Sequence, residues 1–214
     1  MFSSNITYVP GEVYVNIIKM LNYRGVKLDG APLASDEVVK ALNHFEYIKV
    51  TGTRKNDDPR GEAIVAVFLI NPNSKYSNKT ADFRKLVKWF PKRKNDEKMD
   101  IIFISKDPLT THIVKQINVI RKENVNTQLE HYEYEKFLIE VPKHVAVPEH
   151  IILTEDEINE ICEIEKCSRD QFPKILQTDS MAVWLGLKPG MVVKIKRISE
   201  TACTAIAYRY CVRI

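Results

Sequence analysis

The chain has 214 residues, 44% hydrophobic and 28% charged, with a formal net charge of +4. This is the composition of a folded globular protein with room for one large or two small domains, and it excludes collagen-like, low-complexity and disordered classes. The longest apolar runs, AIVAVFLI and IIFI, fall far short of the roughly 20 residues that span a bilayer, and the opening MFSSNITYVPGEVYV lacks the pattern of a secretory signal.

Val13, Ile17, Met20 and Leu21 recur at helical spacing and predict a first helix that stops at the Arg24-Gly25 step, where glycine accepts left-handed geometry. A second helix is predicted from Ser35. Ser35 would cap it, Asp36 and Glu37 suit the positive end of its dipole, and Val38, Val39 and Leu42 form its apolar side. Residues 45–50 and 62–70 read as strands joined by the polar loop TGTRKNDDPRG, a hairpin with a long tip. A helix over residues 80–90 follows, with Phe83, Leu86, Val87 and Phe90 at spacings of three and four and Pro91 at its end. The run RKLVKWFPKRK crosses that helix and its exit. It holds Arg84, Lys85, Lys88, Lys92, Arg93 and Lys94 without an acid, either as a solvated face or as a set of phosphate contacts that displace counterions, while Trp89 reads as core.

Residues 99–105 predict a short apolar strand, DPLTT a loop entering a helix, and Ile113, Ile117 and Ile120 one side of that helix. Strands at 128–132 and 136–141 complete an α/β layer structure over residues 1–142. In VPKHVAVPEH, Pro142 and Pro148 bracket a stretch unsuited to a helix or a central strand, which starts a second domain at residues 143–214. Thr154 and Glu157 form a capping box there, with Leu153 stapled on Ile158. In DSMAVWLGLKPGMVVKIKRISET, Asp179 caps a short helix bearing Met181, Trp184 and Leu185 on one side. Gly186 ends that helix, and Pro189-Gly190 fits a type II turn. The strand over 191–198 sends Val193 and Ile195 to a core and Lys194 and Lys196 to solvent or to acids, and a last strand over 205–212 pairs with it.

No catalytic constellation emerges. GLKPG runs from helix to strand with its lysine before proline, the order of a turn and not of a phosphate loop. Asp96-Glu97-Lys98 and Asp57-Asp58-Pro59 offer carboxylates, but metal-assisted cleavage needs them converging on rigid strand ends, and both lie in loops. There is no G-x-S-x-G, no histidine has a sequence-local partner, and His44 reads as a helix-end residue. Cys162, Cys167, Cys203 and Cys211 lack CxxC spacing, and joining two of them to His144 and His150 fits no common zinc pattern. No metal, cofactor or catalytic residue is expected.

The segments VPEHIILTEDE, QFPKILQTDSMAVWLGLKPGMVVKIKRISETA and AYRYCV, within residues 141–212, resemble the assembly domain of the fifth subunit shared by eukaryotic RNA polymerases I, II and III, a family with archaeal members. More loosely, residues before 141 resemble that family's jaw domain, through an early helix ending in RG, a long hairpin loop, and IIFISKDPLTTHIV before a helix. The resemblance implies an α/β (α+β) chain, with a restriction-endonuclease-like jaw over 1–142 that lacks an active site and a small α+β assembly domain over 143–214. It further implies a non-catalytic polymerase subunit that docks on the largest subunit through its C-terminal domain and sits beside downstream double-stranded DNA. No membrane contact or homo-oligomer goes with that reading. A metal-dependent nuclease on the same fold is the alternative, and a free-standing nucleic-acid-binding regulator is a third.

By the same resemblance, the largest-subunit interface falls on Gly190, Val193, Lys194, Arg197, Ser199, Glu200 and Thr201, with Tyr208 and Arg209 on the final strand. The loop nearest DNA matches Asp107-Pro108-Leu109-Thr110, where Asp107 replaces the family's threonine and would repel phosphate. Pro108 and Thr110, with the basic Lys92, Arg93 and Lys94, are the expected DNA-proximal residues. Asp179-Ser180 stands where the family often has Asp-Pro, and Thr201-Ala202-Cys203-Thr204 replaces a small glycine-containing loop. Together with the divergent jaw, this drift favours a viral over a cellular polymerase: virion and host cytoplasm if viral, nucleus if cellular.

Overall fold

Pro10 presets the first turn of α1 (Pro10–Tyr23), which buries Val13, Ile17, Met20 and Leu21 and ends where Gly25 turns to φ 66°. The computed structural model describes residues 9–72, 98–123, 126–199 and 203–213. The expected helix over 80–90 with Trp89, the basic residues Lys92, Arg93 and Lys94, Asp96 and Glu97, and Glu200 and Thr201 lie outside the described residues. The described residues divide into two compact units, Met1–Lys55 with Glu62–Ile139, and Asn56–Gly61 with Glu140–Ile214.

In the first unit, α2 (Ser35–His44) begins one residue earlier in function than expected: Ala34, not Ser35, is the cap, and the Glu37 carboxylate accepts the Ala34 N–H at 2.9 Å. Ser35 is instead packed against Gly11 of α1. A Cβ on Gly11 would stand 2.2 Å from Ser35 Oγ and 2.6 Å from its carbonyl oxygen, so the close approach of the two helices requires glycine there.

The strands β1 (Val26–Leu28), β2 (Tyr47–Arg54), β3 (Ala63–Ile70), β4 (Met99–Ser105) and β5 (Thr127–Glu133) form one sheet in that order. β1–β2–β3 are antiparallel and β3–β4–β5 parallel. Ala66, Phe68, Ile70, Ile101, Phe103 and Leu129 face α3 (Thr111–Glu123), meeting its Ile113 and Ile117. Because side chains alternate across a strand, Val65, Val67, Leu69, Ile102 and Ile104 are buried on the opposite face. The strand expected over 136–141 is absent. Residues Tyr134–Phe137 and Val141–Lys143 are 3-10 turns, because Tyr134 and Phe137, three apart, both turn inward. Tyr134 Oη donates to the Ile70 carbonyl, and Asn16 donates to the Phe137 carbonyl at 2.8 Å.

The second unit is a sheet of β6 (Glu149–Ile152), β8 (Val192–Ser199), β9 (Cys203–Val212) and β7 (Lys174–Leu176), in that spatial order. α4 (Glu155–Glu165) starts at the expected capping box: Thr154 Oγ1 accepts the Glu157 N–H at 3.3 Å and Glu157 accepts the Thr154 N–H at 2.8 Å. Leu153 and Ile158 share a core with Phe172 and Val192 on this face. α5 (Ser180–Leu185) is capped by Asp179, which accepts the Met181 N–H at 2.9 Å, and is closed by Gly186 at φ 66°. The Met191 N–H donates to the Lys188 carbonyl at 3.1 Å across Pro189-Gly190, with Gly190 at φ 98°, as a type II turn requires. Met181, Ala182 and Leu185 pack on Val193, Ile195, Ile175 and Cys211, so this small sheet is covered on both faces. Burial pushes the Cys211 thiol up to about 11, keeping it protonated as a core residue.

Within the same unit Arg60 closes the C-terminal end of α5, donating to the Leu185 carbonyl at 2.6 Å. Asp58 takes the rest of the guanidinium, accepting from Nε at 2.6 Å and Nη2 at 2.5 Å. The Asp58 carboxylate, expected to be loosely held in a loop tip, is thus fixed and neutralised by its neighbour two residues on.

Candidate functional site

Three places carry chemistry: the face of the first sheet opposite α3, the C-terminal ends of its parallel strands, and the β8–β9 ribbon of the second unit. On the first, Asp100 and Glu130 lie on adjacent strands and on the same face, since Asp100 pairs with Gln128 and Glu130 follows two residues later. Two carboxylates so placed would suit a metal, but each is engaged by a guanidinium. Arg54 Nη2 donates to Asp100 at 2.7 Å and Arg24 Nη1 to Glu130 at 2.8 Å, with all four side chains under a tenth exposed. Tyr132 donates to the same Glu130 oxygen at 3.0 Å, and its ring lies 5.9 Å from the Arg24 guanidinium. Burial pulls the Arg24 pKa down, but Glu130 and Tyr132 outweigh it and hold the guanidinium above its ordinary value. These carboxylates therefore ligate cations from the chain itself. Among the described residues no three His, Cys, Asp or Glu side chains gather as a metal set.

At the C-terminal ends of β4 and β5, where open α/β sheets bind ligands, Ser105 and His131 meet across 26 residues of sequence, Oγ to Nε2 at 2.8 Å. Sequence reading missed this pair, because neither residue has a local partner. Ser105 has one proton and gives it to the Asp107 carbonyl at 2.7 Å. Its oxygen must then accept from His131 Nε2–H. Burial pushes the His131 pKa down to about 4, so the ring is neutral near pH 7, with its one proton on Nε2 when the serine donates to Asp107. With the hydroxyl so directed, the imidazole donates to the serine oxygen and does not take its proton. What it does is hold the start of the 106–110 loop, on which Lys106, Asp107, Pro108 and Thr110 are exposed and Leu109 is half-buried. Thr110 accepts the Val114 N–H at 3.1 Å and starts α3.

The ribbon collects most of the remaining expected residues. Val193 is wholly buried in the unit's own core, so its side chain secures the strand. Lys194 and Tyr208 face each other across the ladder and are half-buried on the α4 face, where Phe172 packs on Tyr208 with ring centroids 5.7 Å apart. Lys196 pairs with Glu149 at 3.2 Å. Arg197 is exposed, Arg209 is half-buried on the same face, and both lie near His150, lowering its pKa further after burial has done so. Gly190 is held in its turn, and Ser199 ends β8. Val145, Ala146, Val147, Pro148, Glu149, Lys196, Arg197 and Thr204 line an open groove of about 750 Å³ beside the ribbon.

Residues 139–211 match the family described as RNA polymerase Rpb5, C-terminal domain. Over 204 residues the chain is 28% identical to a DNA-directed RNA polymerase RPB5 homolog of African swine fever virus (isolate Warthog/Namibia), covering 93% of this chain and 95% of the relative. It is 41% identical over 81 residues to the RPABC1 subunit of DNA-directed RNA polymerases I, II, and III of Caenorhabditis elegans, 38% of each chain. The Dictyostelium discoideum counterpart is 37% identical over 102 residues, 48% of this chain and 52% of its own. The C-terminal unit thus matches the Rpb5 C-terminal domain, and the chain is similar through almost its entire length to a viral RPB5 homologue of DNA-directed RNA polymerase.

Proposed function

We propose that the chain is a non-catalytic subunit of a multisubunit DNA-directed RNA polymerase, docked on the largest subunit through its C-terminal unit, with its N-terminal unit beside downstream double-stranded DNA. The observation that carries this reading is the end-to-end likeness to the viral RPB5 homolog, to which both units contribute. The exposed Arg197 supports the docking half: it stands on β8, whose Val192, Val193 and Ile195 are spent on the core, next to an open groove. For the DNA half, Pro108 and Thr110 are presented on a loop anchored by Ser105, while exposed Asp107 disfavours direct phosphate contact at that position. The full-length match to a viral relative favours a viral polymerase, acting in the host cytoplasm and packaged in the virion.

Arg197→Glu is expected to lower co-purification with the largest subunit at least tenfold, about 1.4 kcal/mol, while leaving the chain folded. Unchanged recovery with that subunit would refute the docking surface. In the assembled polymerase, Lys92→Ala, Arg93→Ala and Lys94→Ala combined should leave assembly intact and weaken downstream DNA binding. The slope of log affinity against log salt should fall by up to about 3, near 0.9 for each phosphate no longer neutralised. An unchanged slope would remove those residues from the DNA.

A further inference from the structure

We infer that the outer edge of β9, presented by Thr204, Ile206 and Tyr208, takes an extended segment of a larger polymerase subunit as an added strand. The inference rests on the docking reading above and specifies how the contact is made. In the sheet, β7 pairs only with Tyr210, Cys211 and Val212, so residues 203–209 have β8 on one side and no strand among the described residues on the other. Which backbone groups face outward follows from the ladder. The Tyr210 N–H donates outward to the Pro173 carbonyl at 2.9 Å, and the Cys211 N–H donates to the Met191 carbonyl on the β8 side at 2.8 Å. The β8–β9 register runs without a slip from Tyr210 to Cys203, so the N–H and C=O groups of Tyr208, Ile206 and Thr204 also point outward.

Exposed edges are normally blunted by charge, proline, a bulge or shortness. The other two edge strands of this sheet follow that rule: β6 has four residues and is preceded by Pro148, and β7 has three and is preceded by Pro173. On β9 the stretch CTAIAY carries no charge, no proline and no bulge, Thr204 and Ala205 are exposed, and Ile206 is 52% exposed. Backbone pairing along such an edge, with alternate side chains seated on either face, is a recurrent way of capturing a peptide.

Two observations choose the occupant. Ala205 is the cross-strand partner of Arg197, so a strand laid on this edge is continuous with the proposed docking surface. Residues 204–212 contain Arg209 and no carboxylate, and the exposed Arg197 lies alongside on β8, whereas Lys196 already has Glu149. A second copy of this edge would bring no acid to those cations, whereas a segment that is uncharged over the paired stretch and acidic at its flank would.

Ile206→Pro tests the inference, because it deletes an outward N–H and leaves the bonds to β8 in place. Expected is a folded chain whose co-purification with the largest subunit falls at least tenfold. Alongside it, wild-type amides of Ile206 and Tyr208 should exchange at least tenfold more slowly in the assembled polymerase than in the isolated chain. Wild-type recovery by the folded variant would overturn the inference and leave the Arg197 docking surface standing. Should the variant fail to fold, the exchange comparison decides, and equal rates in both states overturn it. An isolated wild-type chain that runs as a dimer through this edge assigns it to a second copy and overturns it equally. If the wild-type chain does not associate with the largest subunit at all, both readings fall.

Discussion

Arg54→Met is expected to destabilise the N-terminal unit by about 3–5 kcal/mol, because it leaves the Asp100 carboxylate buried without its counter-charge. Asp100 is 5% exposed and Arg54 3%, and the pair is 2.7 Å apart. The companion Arg54→Met/Asp100→Leu variant should recover most of that loss, since replacing both partners of a buried pair by apolar groups is often close to neutral. Amide exchange along β3 and β4 reports on this unit specifically, which a single global melting curve of a two-unit chain does not. A single-variant loss below about 1 kcal/mol would mean that Asp100 is solvated in a way its burial contradicts.

Trp184→Ala should have an effect of similar size on the other unit, about 3–5 kcal/mol, the usual cost of deleting a buried aromatic side chain and leaving its volume unfilled. Trp184 is wholly buried, and every residue of α5 from Met181 to Leu185 is buried with it. A helix of six residues has little stability of its own and depends on this packing. Urea unfolding followed by exchange at β8 amides is the measurement, and a loss below about 1 kcal/mol would show that the cavity collapses. Trp184→Phe, which keeps most of the apolar volume, should cost roughly half as much.

What could be read from the sequence was what depends on neighbours in sequence. The Thr154–Glu157 box, the Asp179 cap, the Gly186 stop and the Pro189-Gly190 turn each complete their hydrogen bonds within a few residues, and each stands where the pattern placed it. The core side of β8 was also readable, as Val193 and Ile195, but Val192 is buried too because α4 covers the opposite face. Elements held by distant partners were not readable. β1 has three residues and exists because it pairs with β2, where a Cβ on Gly52 would come within 2.5 Å of the Lys27 carbonyl oxygen. Residues 136–141 are an apolar run that reads as a strand, yet the inward pull on Tyr134 and Phe137 winds the preceding turn, and no partner strand lies beside them among the described residues. Arg24 and Glu130 are 106 positions apart, and only the fold brings them together. The candidate surfaces divide in the same way: the ribbon carries its motif in one continuous stretch, whereas the Ser105–His131 pair becomes visible only when two parallel strands are laid side by side.

That pair has one more consequence. A histidine ordinarily makes a surface responsive to acid, but this ring stays uncharged down to a pH of about 4. The direction in which protons point, from imidazole to hydroxyl to the Asp107 carbonyl, is therefore the same in a mildly acidic compartment as at neutrality. The turn that presents Pro108 and Thr110 is in this sense indifferent to mild acid, since the ring beside it gains no charge until the pH nears 4.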